Sequence, residues 1–193
     1  MKFRSALVVL ALTTPVAQAA LADPVDTRAA RQMLFRDDRV EVVEIDVSGL
    51  SEQERTALTT VAQTQKYYAA VGFAPDAGIM AEPTVLASNY HSPEAARAAA
   101  LSSCNDRRQG GRACVIALEV RPQGWEARDL SLSADATTDF NDTYRRSGGT
   151  RAFAVSAGSG QWGIGRGSTA VEDALTACQG ESDVSDCAVV IQD

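Results

Sequence analysis

Residues 92–121, SPEAARAAALSSCNDRRQGGRACVIALEVR, carry the pattern that decides the fold. Ser92 is a helix cap, followed by an alanine-rich run, a cysteine, a polar loop, a second cysteine and an apolar strand. A shorter copy, STAVEDALTACQGESDVSDCAVVIQD, closes the chain at residues 168–193. Two copies of one pattern predict a fold built by duplication.

The elements around these two stretches repeat in one order. The first half predicts a strand at 39–48, a helix at 51–65, strands at 67–73 and 84–90, the helix from Ser92 to Cys104, and a strand at 115–120. The second half predicts a strand at 128–133, a helix at 133–144, strands at 151–157 and 161–164, a helix ending at Cys178, and a strand at 187–192. This is the element order of the ferredoxin-like split βαβ motif. We therefore predict an α+β fold: a duplicated strand–helix–strand–strand–helix–strand unit, mostly antiparallel sheet, and one disulfide per unit.

Capping signals mark the helix starts. Ser51 and Glu54 form a capping box, and Thr169 with Glu172 offers a second one. The helix after Ser51 is expected to carry Leu58, Val61 and Ala62 inward. The helix at 133–144 is expected to carry Ala136, Phe140 and Tyr144 on one face.

The first 22 residues have the features of a signal peptide. Lys2 and Arg4 supply the positive start, and residues 6–12 form an apolar run too short to span a bilayer. Small residues favour cleavage after residue 19 or 22. The predicted organisation is a signal peptide at 1–22, an N-terminal arm or helix at 23–38, a first repeat unit at 39–121, a junction at 122–127 and a second repeat unit at 128–193. The protein is expected to be periplasmic or secreted, without a membrane span once the signal is cleaved.

The charge of the chain argues against nucleic acid as a partner. Loss of Lys2 and Arg4 with the signal leaves 16 basic and 25 acidic residues, a net charge of −9. Non-specific nucleic-acid binding depends on neutralising phosphates with lysine and arginine. An acidic chain favours solubility instead.

The four cysteines are disulfide candidates, because an exported protein folds in an oxidising compartment. The repeated pattern selects the pairs Cys104–Cys114 and Cys178–Cys187, each closing a short loop. A four-thiolate zinc site is the alternative, although structural zinc sites usually carry closer cysteine pairs.

The first cysteine loop holds three arginines and the second is acidic. Arg107, Arg108 and Arg112 form a candidate anion-binding loop, because guanidinium groups match carboxylate and phosphate geometry. A solvated loop is the simpler interpretation. The second loop, 181–186, reads ESDVSD.

Several other residues could take part in chemistry, but their sequence context favours structural roles. His91, the only histidine, is a candidate general base near Ser92 or Asp76, but its place before a helix cap favours a structural role. The sequence GSGQWG at 158–163 matches the glycine spacing of a dinucleotide-binding motif, but a tight hairpin is the better interpretation. Trp125 and Trp162 are expected to pack, with groove lining as the alternative.

Residues 151–193 resemble a known family. The small-residue strand AFAVSA, the turn, the WG return strand and the two cysteines around a loop are similar to the exported "domain of unknown function 4189" family. Residues 67–120 resemble it more loosely, with Ile79-Met80 in place of Gln161-Trp162. The resemblance implies export and disulfides and no activity. An aminolevulinate synthase is not supported, because Lys66 is the only lysine after the signal and no phosphate cradle accompanies it.

The sequence thus predicts an exported, disulfide-stabilised binding or interaction domain, with an unknown protein or small-molecule partner and no cofactor or metal. A small exported enzyme with carboxylate-based chemistry and a secreted inhibitor are the alternatives. A pocket with two converging carboxylates would indicate an enzyme, an exposed apolar patch a binding module, and a protruding cysteine loop an inhibitor.

Overall fold

The computed structural model describes residues 23–36, 38–180 and 184–193, so the predicted signal peptide lies outside the described residues. The helices are α1 (Thr27–Met33), α2 (Glu52–Ala62), α3 (Pro93–Arg107), α4 (Ala134–Asp139) and α5 (Ala170–Gln179). The strands are β1 (Val40–Glu44), β2 (Ala69–Phe73), β3 (Val85–Ala87), β4 (Val115–Pro122), β5 (Arg151–Ser156), β6 (Trp162–Arg166) and β7 (Cys187–Gln192). A π-helical turn, Phe140–Tyr144, continues α4, and a 3-10 turn, Gly167–Thr169, precedes α5.

The strands form two separate antiparallel sheets. The first has the order β1-β4-β2-β3 and the second the order β6-β5-β7. Every neighbouring pair of named strands is antiparallel. The predicted fold class, α+β with antiparallel sheet, is confirmed.

Helices cover both faces of the first sheet. Ala69 and Val71 of β2 pack with Ala62 of α2, whereas Ala70 packs with Ala96 and the rest of the α3 face. Successive strand residues point to opposite faces, so α2 and α3 lie on opposite sides of the sheet. Every residue of β2 is therefore buried, which explains the uninterrupted apolar run in the sequence.

The second sheet is also covered on both faces. Ala152 and Ala154 of β5 pack against α5. Phe153 and Val155, on the other face, pack with Phe140 of the π-helical turn and with Ala30 of α1. The predicted inward face Ala136, Phe140 and Tyr144 is confirmed, since all three residues belong to this cluster.

The first strand predicted for the second unit does not form. Residues 128–133 alternate as a strand would, but they are irregular, and Leu130 and Leu132 pack into the core of the second half without strand partners. The edge of β7 is taken instead by the N-terminal arm, where Val25 forms a parallel bridge with Ile191. The second half therefore lacks one of the six predicted elements, and the predicted duplication is not confirmed. Both halves do share a hairpin, a helix and a strand that returns beside the first hairpin strand.

Both predicted disulfides are present. Cys104 bonds to Cys114 and Cys178 bonds to Cys187, each with 6.1 Å between the Cα atoms. Each bond joins the last turn of a helix to the start of the strand that follows. The alternative of a four-thiolate zinc site is wrong, because all four sulfur atoms are in disulfides.

Two details of the predicted helices are wrong. The Ser51–Glu54 capping box forms as predicted, but Thr169 makes no cap. The Thr169 hydroxyl donates to the Asp173 carboxylate, and the 3-10 turn begins the helix instead. Val61 of α2 is 53% exposed, because the sheet is contacted by the face that carries Leu58 and Ala62.

Two of the glycines in the β5–β6 hairpin allow close packing. The glycines at 158–165 belong to this hairpin, as predicted in preference to a dinucleotide fingerprint. Gly163 and Gly165 of β6 face α5, where a Cβ would overlap backbone atoms of Ala174 and Ala170 respectively. The absence of side chains at these positions lets the helix lie directly on the strand.

We expect Gly165→Ala to destabilise the protein by more than about 3 kcal/mol, because the added methyl group meets rigid backbone. Urea denaturation followed by circular dichroism measures the loss. Gly148→Ala is the control, since a Cβ there would meet no heavy atom within 4 Å and should change stability by no more than about 1 kcal/mol. Equal stability of the two variants would contradict this packing.

Candidate functional site

His91 joins the two halves of the molecule. Its ring is buried between the β2–β3–α3 side and the second half. The Ser133 N–H donates to Nδ1 at 3.0 Å, so the proton is on Nε2, which donates to the Gln161 carbonyl at 2.9 Å. The Ser131 hydroxyl also donates to the His91 carbonyl oxygen. Three positions of the second half are thus held by one residue of the first.

His91 does not serve as a general base in this arrangement. Neither Ser92 nor Asp76 is bonded to the ring, since the Ser92 hydroxyl caps α3 and Asp76 binds Arg112. Burial lowers the pKa of His91 below its ordinary value of 6.5, and the Gln161 carbonyl and Asp186 offset this effect only in part. The favoured prediction of a structural role agrees with this geometry.

Ser156 and Asp186 are bonded to each other but not to the His91 ring. Ser156 Oγ donates to Asp186 at 2.6 Å and accepts a bond from the Ser159 N–H. A serine nucleophile needs a base within hydrogen-bond reach. Both ring nitrogens of His91 are engaged with backbone groups, so these residues do not form a catalytic triad.

We expect the free energy of unfolding to fall as the pH decreases below 6.5, the ordinary pKa of histidine. The unfolded chain gains its proton there, whereas the folded ring stays neutral, so stability is fully present above that pH and is lost by up to about 1.4 kcal/mol per pH unit below it. The carboxyl groups of Glu54, Asp76 and Asp186 have lowered pKa values and titrate below this window.

Urea denaturation between about pH 7.5 and 5.5 measures this slope. His91→Gln is the matched variant, because an amide does not titrate. Its stability should be lower at neutral pH but nearly independent of pH over the same range. A slope equal to that of the wild type would contradict the assignment to His91.

Further contacts close the interface beside His91. The Lys66 ammonium and the Asn89 side-chain amide both donate to the Asp135 carboxylate, at 2.5 and 3.1 Å. The Ala134 N–H donates to the Tyr67 carbonyl. Lys66 is therefore an ion-pair partner across the junction.

A buried carboxylate lies in the first sheet, and sequence reasoning missed it. The Glu119 side chain on β4 is 1% exposed. Arg97 of α3 binds one oxygen at 2.7 Å, and Arg121 binds the other through Nε at 2.8 Å and through a second nitrogen. Arg97 also pairs with Glu94, and Arg121 lies 4.5 Å over the Trp125 ring. The sequence signal was a lone glutamate inside the apolar run VIALEV, with arginine two residues later.

We expect Glu119→Gln to destabilise the protein by about 3 to 5 kcal/mol, because two guanidinium groups lose their buried counter-charge. Glu94→Gln is the control, since its side chain is 66% exposed and such surface pairs contribute about 0 to 1 kcal/mol. Chemical denaturation of both variants tests the difference. Similar small losses would show that the buried pair is not an energetic centre of the sheet.

A cavity of about 210 Å³ lies at the meeting point of the two halves and the N-terminal arm. We call it the junction cavity. The N-terminus of α3 forms one wall, and the irregular segment after β4 forms another. The lining side chains that matter here are Phe35, Tyr68, Ser92, Glu94, Trp125 and Arg128. Trp125 was expected to pack at the junction or to line a groove, and it lines this cavity.

The Tyr68 hydroxyl is the distinctive group of the junction cavity. Tyr68 is 0% exposed, and its hydroxyl is the one buried side-chain oxygen or nitrogen among the described residues without a hydrogen-bond partner. Burial is the main cause that raises the pKa of Tyr68; Trp125 and Arg128 lower it, and Tyr67 and Glu94 raise it. Tyr68, Glu94, Trp125 and Arg128 all line the cavity, and the Tyr68 hydroxyl oxygen is buried from solvent without a hydrogen bond of normal geometry.

Arginines and aromatic rings form the outer wall of the junction cavity. The Arg128 guanidinium lies 3.7 Å over the Phe35 ring and donates to the Met33 carbonyl and the Glu126 carboxylate. A second cleft of about 310 Å³ shares Phe35 and Arg128 and adds Arg36 and Arg39 to its lining. The two hollows therefore have a wall in common.

Unlike the junction cavity, a hollow of about 490 Å³ beside the start of α5 carries no distinctive group. Thr150, Ser168, Thr169, Glu172 and Gln192 are among its lining residues. The described residues give it no buried polar side chain without a partner. The junction cavity is therefore the better candidate for a ligand site, because buried polar groups are normally hydrogen-bonded and the Tyr68 hydroxyl is not.

The three arginines of the first cysteine loop do not converge. Arg108 donates to the Asn105 side chain and to the Gly111 carbonyl. Arg112 pairs with Asp76 at 2.7 Å and thereby ties the loop to the turn after β2. Arg107, the last residue of α3, is exposed and has no ion pair with the described residues. Anion binding by this loop stays a prediction. Residues 181–183 of the acidic loop lie outside the described ranges.

The described residues hold no group of three His, Cys, Asp or Glu side chains placed to bind a metal ion. None of their helices has the length and apolar character needed to cross a membrane.

Comparison of the chain with protein-family models, with curated proteins and with solved structures finds no match in any of the three. The resemblance of residues 151–193 to the exported "domain of unknown function 4189" family stays a prediction.

Proposed function

We propose that this protein is an exported, disulfide-stabilised binding domain that takes a small ligand in the junction cavity. The observation that supports the proposal is the Tyr68 hydroxyl, buried and without a partner where the cavity lies. A buried hydroxyl left unpaired costs about 1 to 3 kcal/mol. A ligand that supplies the missing hydrogen bond recovers this free energy.

The charges of the cavity favour binding over carboxylate-based catalysis. A carboxylate enzyme needs two acids that converge on a substrate, one of them with a shifted pKa. Glu94 and Glu126, which line the cavity, pair with Arg97 and Arg128 at 2.8 and 3.0 Å. Both carboxylates are mostly exposed, and each already has an arginine partner, so neither is the buried acid that such an enzyme needs.

A binding module with a flat apolar patch receives less support than one with a cavity. The large apolar side chains that are exposed in the described ranges lie on separate elements or loops: Val61, Met80, Leu86 and Val171.

An inhibitor would use a braced cysteine loop. The Arg112–Asp76 pair does brace the first loop, but that loop lacks an unpartnered buried group such as the one in the junction cavity.

Two features support export. Both disulfides fit an oxidising compartment, and each closes a loop within a secreted-type small domain. The sequence of residues 1–22 supplies the targeting signal. Fractionation of cells that make the full chain, with sizing of the mature N-terminus, tests this part of the proposal.

The two tryptophans give a direct test of ligand binding. The Trp162 indole N–H donates to Asp139 at 2.9 Å, whereas that of Trp125 has no hydrogen bond of normal geometry to the described residues. We expect one-ring fragments added to the ¹⁵N-labelled protein to move the Trp125 indole signal and to leave the Trp162 signal in place.

Trp125→Phe assigns the two signals, and Trp162 is the internal control. The fragment set contains anionic, neutral and cationic compounds in equal numbers, so that no charge class is favoured. If the whole set leaves the Trp125 signal unmoved, the junction cavity is not a ligand site and the proposed function fails.

A further inference from the structure

We infer that the ligand of the junction cavity is a small carboxylic acid with one ring or a short apolar chain, whose carboxylate accepts a hydrogen bond from Tyr68. This inference rests on the proposed function and names the ligand class of the same site. It follows from the donors that face the cavity, from the state of its charges and from its size.

The polar groups available to a ligand are mainly donors. The Tyr68 hydroxyl is unpaired, and the Trp125 indole N–H is a donor that can never accept. Helix α3 begins at the cavity wall, where Ser92 accepts from the Ala95 N–H and Pro93 has no N–H. The start of this 15-residue helix carries partial positive charge. A group rich in acceptor oxygens matches this arrangement.

The acidic side chains of the cavity are already neutralised. Glu94 pairs with Arg97, and Glu126 pairs with Arg128. The Arg128 guanidinium itself lines the cavity and lies over the Phe35 ring. The adjoining cleft adds two further guanidinium groups, of which that of Arg36 is shared with Asp38. An anionic group is therefore better accommodated than a cationic one.

The volume of the cavity and its aromatic rings determine the size and the apolar part of the ligand. About 210 Å³ lies below the range of roughly 300 to 1,000 Å³ usual for drug-sized ligands. The rings of Phe35 and Trp125 are half-buried and offer apolar surface on two sides. A single ring or a short chain fills such a space, whereas a peptide segment with several side chains does not.

The Tyr68 oxygen is buried from solvent, and Trp125, which lines the cavity, is among the groups that act on it. The indole belongs to an irregular stretch between β4 and α4, with no ladder hydrogen bonds to break. A ligand oxygen reaches Tyr68 by displacing the indole. The same displacement makes the Trp125 signal a sensitive reporter of binding.

The test compares phenylacetate with phenylacetamide, which has nearly the same shape but no charge, on the disulfide-intact mature protein. Titration of the Trp125 indole signal gives both affinities. We expect phenylacetate to bind at least about tenfold more tightly, which corresponds to a difference of about 1.4 kcal/mol. Equal or tighter binding of the amide would overturn the carboxylate assignment and leave the proposed function standing.

Tyr68→Phe tests the contact itself. We expect the variant to be as stable as the wild type or more so, because the hydroxyl removed has no partner in the empty cavity. Its affinity for phenylacetate should fall about tenfold, since hydrogen bonds to charged groups contribute about 1.5 to 3 kcal/mol. Unchanged affinity would show that the hydroxyl does not contact the ligand and would overturn the inference.

Tyr67→Phe is the matched control. Tyr67 is the neighbouring tyrosine, 1% exposed, and its hydroxyl bonds to Thr137. This variant should lose about 1 kcal/mol of stability and keep the wild-type affinity for phenylacetate.

An acetylated tripeptide ending in phenylalanine is the last probe, because a chain terminus also carries a carboxylate. Tighter binding of the tripeptide than of phenylacetate would overturn the assignment to a small free acid.

Discussion

The neutral imidazole of His91 is the contact on which the arrangement of the two halves depends. One ring nitrogen accepts from the segment before α4 and the other donates to the β5–β6 turn, so a single side chain fixes two parts of the second half. The α3 cap follows one residue later, and the junction cavity opens at that cap. Any shift of His91 would therefore change the wall against which Tyr68 and Trp125 lie.

Burial on both faces explains the alanine and glycine residues of β2, β5 and β6 and the alanines of α3 and α5, which cover these strands. A sheet covered by helices on each side has no wet face, and small residues allow the close approach seen between α5 and β6. Close contact between the backbones of helix and strand then stabilises the fold, in addition to the packing of large side chains. Tyr67, Tyr68 and Phe153 are among the largest side chains that are fully buried.

Most cap signals in the sequence were reliable, although Thr169 makes no cap, whereas the strand signal that needs a sheet partner was not. Ser51 and Ser92 cap their helices as predicted, because a cap involves only neighbouring residues. The strand predicted at 128–133 failed, since alternation needs a free sheet edge and Val25 already occupies the edge of β7. The candidate site was least visible. No pattern in the chain shows that the Tyr68 hydroxyl lacks a partner, or that Glu119 lies between two arginines.

The bridge between Val25 and Ile191 has a consequence for the order of folding. Thr27 also bonds to the Asp193 carboxylate, 166 positions away in the chain. The second sheet is thus completed by the two ends of the described chain, and contacts of such long range form late because of the loop that must close. The second sheet therefore cannot be completed before β7 is available, whereas the first sheet needs no strand beyond β4.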